Sequence, residues 1–107
     1  MAAREEVSIA VYAGTFASQP LAFAHLYDLS AAAGTDADLG AVEVICQTDP
    51  AARLAHYLDP QAVNAVIDAM GLHTTAILVF PEAGMDAISG SKMLVPLGTF
   101  RGTRLRA

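Results

Sequence analysis

The chain has no tryptophan, one cysteine and only 7% aromatic residues. A single cysteine, Cys46, excludes an internal disulfide, so packing and backbone hydrogen bonds must hold the fold. Charge is sparse as well: 16% of residues, with six basic side chains against eleven acidic ones and a net charge of −5 at pH 7. An acidic body repels phosphates, which argues against nucleic acid as a partner. No apolar run approaches the ~20 residues that cross a bilayer, so no membrane partner is expected. Residues 1–6 lack the apolar stretch of a secretory signal, and a cytoplasmic location is expected. The three histidines, His25, His56 and His73, show neither the i, i+4 nor the i, i+2 spacing of a local metal site. Neither a metal nor another cofactor is expected.

What the chain has in quantity is apolar residues, at 54% with a mean hydropathy of +0.43. Alanine makes up about a fifth of the sequence and adds little area per residue. Even so, the excess suggests surface buried against another copy, and a homodimer is one expectation. A length of 107 residues fits a single domain, 1–107, with one core. The charges are unevenly placed, because residues 87–107 carry +4 and residues 1–86 carry −9. The basic end reads as a frayed, solvated terminus. The acidic body suits a basic protein partner, through steering more than through contact energy.

One phrase occurs twice. Val11-Tyr12-Ala13-Gly14-Thr15-Phe16 is echoed by Val95-Pro96-Leu97-Gly98-Thr99-Phe100. Two apolar runs that close on Gly-Thr-Phe look like strands ending in one backbone geometry, and they place the first and last strands side by side. Between them, Ser18 and Pro20 predict a helix that stops at Gly34. Its Leu21, Phe23, Leu26, Tyr27 and Leu29 predict a well-covered surface. Val42–Gln47 reads as a short strand. Asp49-Pro50 and Asp59-Pro60 each pair a capping aspartate with proline at the first helical position. The first predicts a helix to about Leu58; the second predicts one ending at Gly71, with Val63, Val66, Ile67 and Met70 on one face. Thr74–Phe80 reads as a buried central strand and Lys92–Phe100 as the last. Pro96 there demands an edge position or a bulge. The expected fold is α+β: a four-stranded mixed sheet with three helices in the order β-α-β-α-α-β-β, the helices on one side.

The residues that could carry chemistry are few. Gly14, Thr15 and Ser18 lead a strand into a helix start, where backbone N–H groups can hold an anion; a plain strand-to-helix turn explains them equally. Cys46 with a histidine could make a thiolate pair, but on a strand face with Val42 and Val44 it reads as a small apolar residue. Gly84–Gly90 could form a lid or an ordinary loop. Asp49 and Asp59 are accounted for as caps. Asp36 and Asp38 have no such structural role and, with Glu43, are the candidate partner-binding residues.

Ile9–Phe16 with Ser18, then Ala76–Phe80 with Glu82, then Leu97-Gly98-Thr99-Phe100 resemble the opening, penultimate and closing strands of the immunity protein 22 family of bacterial toxin–immunity systems. Tyr12 and Thr15 stand where the family pattern has tryptophan and asparagine, and residues 34–58 do not align with it. The resemblance implies a non-enzymatic cytoplasmic protein that neutralises a cognate toxin by occlusion. The alternatives are a small homodimeric domain that binds a small molecule, or does modest chemistry, in a cleft between subunits, and a structural subunit without a ligand.

Overall fold

The structure, a computed structural model, describes residues 3–34, 36–47 and 49–106. Four strands, β1 (Ala3–Gly14), β2 (Val42–Cys46), β3 (Thr75–Val79) and β4 (Val95–Arg106), form one sheet in the order β2-β3-β1-β4. First and last strands are neighbours, as the repeated phrase suggests. Every pairing is antiparallel, which corrects the expected mixed sheet. The reason is topological. The crossover from β1 to β2 does give two parallel strands, but β3 inserts between them and pairs antiparallel with both.

The helices α1 (Gln19–Ala33), α2 (Ala51–Leu54) and α3 (Pro60–Met70) do not share one side either. Val7, Ile9, Val11 and Ala13 of β1 point to one face, where Ile9 and Leu58 both crowd Gly102 beneath the α2–α3 link. Thr75 and Cys46, opposite each other in the register, point to the other face, where Phe16 stacks near His25 of α1. Two covered faces explain why Val44 and Ile45, neighbours in β2, are both 2% exposed. They also explain why Ala76, Ile77 and Leu78 of β3 are fully buried in succession.

Local signals place the helix ends well. Ser18 is extended and its hydroxyl accepts from Leu21 N, while Gly34 closes α1 in the left-handed region at φ 68°. Asp59 accepts from Ala62 N at 2.8 Å and opens α3, which buries Val63, Val66 and Met70. Two expectations need correcting. The helix after Pro50 is only four residues long, and the chain to Leu58 continues as turns. The surface of α1 is not well covered: Ala22, Leu26 and Ser30 face inward, but Leu21 and Tyr27 are more than half exposed. A helix at the β2 margin buries one narrow stripe. Among the described residues, no helix is long and apolar enough to cross a membrane.

The two Gly-Thr-Phe copies turn out to differ. Gly14 ends β1 where a Cβ would lie 2.9 Å from the Leu94 side chain and 3.1 Å from Met93 O, so a larger residue there would require these neighbours to shift. Gly98 sits within β4 at φ 119°, next to a bulge at which the register slips between Val11 and Tyr12. Pro96 is thus both in an edge strand and beside a bulge. β4 also runs on to Arg106 and pairs with the chain start. This overturns the frayed terminus. The segment between Gly84 and Gly90 is pinned to the core by Met85 and Ile88.

Candidate functional site

A cleft of about 420 Å³ opens where β2 begins and β3 ends. Its first wall is the 3-10 turn Leu39–Ala41. Asp38 caps that turn, with its carboxylate 3.0 Å from Gly40 N. Backbone bonds from Asp38 N to Ala83 O and from Phe80 N to Ala41 O tie the turn to the end of β3. Asp38 is exposed, and its capping bond corrects the expectation that it has no structural role.

Glu43, the second residue of β2, projects to the α2–α3 side of the sheet. Arg53 of α2 reaches it at 2.5 Å. Burial, followed by the charge of the same Glu43 carboxylate, pushes the Tyr57 ionisation above its usual value. Tyr57 is held from behind, because its carbonyl accepts from Thr103 N of β4 at 2.7 Å. Its ring meets buried Phe80 edge-on at 5.6 Å. His56 completes this wall.

The floor belongs to Arg104. Its guanidinium lies 5.1 Å from the centroid of the Phe80 ring, donates to Glu82 and reaches Glu5 at 3.2 Å. The hydrogen bond from Arg104 holds the Glu82 carboxyl below the ordinary carboxylate range, and the same bond raises the arginine. Glu5 and Arg104 face each other across the β1–β4 ladder, so strand pairing alone sets this ion pair.

Two of the three acids singled out from sequence, Asp38 and Glu43, thus line one cleft, while Asp36 is exposed and outside its lining. Sequence reasoning missed Tyr57, Phe80, Glu82 and Arg104 as a group. A signal for Arg104 was present: pairing first and last strands brings the acids Glu5 and Glu6 alongside the arginines of the chain end.

The Gly14–Ser18 segment has structural partners throughout. Thr15 Oγ1 lies 3.2 Å from His73 Nδ1, Phe16 N donates to Thr75 Oγ1, and Ser18 caps α1. Cys46 donates to Phe16 O and accepts from the Thr75 hydroxyl, which ties together β2, β3 and the end of β1. His25 lies 2.7 Å from the Ser91 hydroxyl. Among the described residues, no three of His, Cys, Asp and Glu are grouped to hold a metal ion.

No protein-family model matches the chain, nor does any curated protein or solved structure.

Proposed function

We propose that this protein is a non-enzymatic, immunity-type binding protein that neutralises a cognate bacterial toxin by occlusion. The observation that carries the reading is the convergence of Asp38, Glu43 and Glu82 around one cleft of an acidic domain. Such a surface attracts a basic partner at a distance and orients it before contact. The resemblance of the strand ends to immunity protein 22 supplies the biological setting. Asp36 and Asp38, both exposed, extend the same negative rim.

The test is capture of binding polypeptides from native host cells, comparing the wild-type chain with Asp36→Lys/Asp38→Lys. A toxin domain held in stoichiometric amount by the wild type is expected. The double variant should associate about tenfold more slowly at low salt, with a flatter salt dependence. An unchanged on-rate would remove the acidic rim from the mechanism. A second reading, small-molecule binding, is favoured by the cleft volume, which lies in the range of ligand pockets. A specific rise in melting temperature with one member of a metabolite panel would select it.

A further inference from the structure

We propose that α1 is the contact helix of a homodimer, packed antiparallel against α1 of a second copy of this chain with Ala24 at the two-fold axis. α1 lies across the sheet from the α2–α3 wall of the cleft, so this surface is distinct from the partner site above and independent of it.

A helix that packs on one face of a sheet ordinarily carries charge on its outer side, and α1 does not. Asp28 is the one Asp, Glu, Lys or Arg among its 15 residues. The inner side buries Ala22, Leu26 and Ser30. On the outer side Pro20, Leu21, Ala24, Tyr27, Asp28 and Ala31 are exposed, and their spacings of three and four residues join them into one stripe. Leu21 is 54% exposed and Tyr27 65%. An apolar stripe of this length, interrupted by a single carboxylate, is the mark of a helix covered on both sides.

The stripe is complementary to itself, which identifies the second copy as its cover. A two-fold axis at Ala24 sets Leu21 against Tyr27 of the second copy, and Tyr27 against its Leu21, so the large exposed side chains of each α1 cover those of the other. Ala24, with a single methyl group, lets the helix axes approach to the ~8 Å of close packing. The same symmetry sets Asp28, four residues beyond the axis, opposite Pro20, four residues before it. The first turn of α1 holds no acidic residue, and Asp28 enters no ion pair among the described residues. Each Asp28 carboxylate thus meets the positive end of the other helix dipole, a charge match made twice. A parallel two-fold pair would instead oppose Asp28 to itself. The apolar content of the chain, 54%, agrees with a face buried between copies.

The test is sedimentation equilibrium of the full chain from about 1 µM to about 1 mM, a range suited to the small interface of a single helix pair. The mass should rise from monomer toward dimer. Leu21→Lys and Tyr27→Lys each carry an unpaired charge into the contact and should weaken association about tenfold or more. Both positions are exposed in the single chain, so circular dichroism and melting of the dilute variants should match wild type. Ala24→Cys should give a disulfide-linked dimer under mild oxidation, with peptide mapping placing the link at position 24 on both chains. Ala65→Cys, exposed on α3, should give none at its own position. A monomer at every concentration overturns the dimer and leaves the stripe to a partner of another sequence. A dimer that survives both lysine variants, or that Ala24→Cys does not link at position 24, overturns this interface.

Discussion

Gly102 is the position where the site and the stability of the fold can be perturbed together. A Cβ built there would lie 2.5 Å from Tyr57 O and 2.6 Å from Ile9 Cδ1. The isoleucine can rotate, but the carbonyl belongs to backbone that is itself bonded to Thr103 N. Real Cβ contacts do not fall below 3.0 Å, so the α2–α3 link must retreat from β4 by at least 0.5 Å. Overpacking of this kind costs about 1–3 kcal/mol. Loss of the Thr103–Tyr57 bond adds about 0.5–1.5 kcal/mol. Gly102→Ala should therefore lower the unfolding free energy by about 1.5–4.5 kcal/mol, a large share of the ~5–15 kcal/mol of a typical domain. Urea unfolding followed by far-ultraviolet circular dichroism is the assay. The midpoint should fall with the denaturant slope unchanged. Gly90→Ala is the control, since a Cβ there meets nothing within 4 Å, and it should stay within about 0.5 kcal/mol of wild type. A Gly102→Ala protein equally close to wild type would refute the claim that this glycine seals the link against β4.

Three further outcomes follow from the same contacts. Thr75→Val keeps shape but removes the acceptor for the buried Phe16 N–H, and should cost about 1–3 kcal/mol by thermal or urea unfolding. Asp59→Ala removes the cap of α3 and should cost about 0.5–2 kcal/mol, read in the same way. The Glu82 carboxyl should titrate below the usual carboxylate range when followed by carbon NMR, and return toward it in Arg104→Met. Because its folded-state value is depressed, the Glu82–Arg104 contact contributes above the unfolded carboxylate value and is lost as pH falls through the folded one. A Glu82 signal that ignores the Arg104 substitution would show that the two groups do not interact in solution.

Elements whose evidence is local were legible in the sequence. Ser18, Asp59 and Gly34 mark helix ends through bonds made within three or four residues, and each stands where the pattern puts it. The continuous apolar run of β3 is equally plain, since only a central strand covered on both faces buries Ala76, Ile77 and Leu78 together. Strand direction was not legible. The β1–α1–β2 crossover reads as a parallel pair until β3 is inserted, and no residue within β1 or β2 announces that insertion.

The cleft was half legible for a related reason. Asp38 and Glu43 are close in sequence and are both candidate partner-binding acids, Asp38 because the pattern gives it no structural role, whereas Tyr57, Phe80 and Arg104 reach the same place from three separate elements. Arginines at a chain end resemble a solvated tail unless the pairing partner is known. Here the adjacency of β1 and β4 supplies that partner. Once Val11 is set against Gly98, antiparallel pairing carried to the chain start places Glu5 against Arg104. The inference from Gly-Thr-Phe to adjacent strands therefore reached further than it was taken: followed down the ladder, it sets the ion pair that forms the floor of the site.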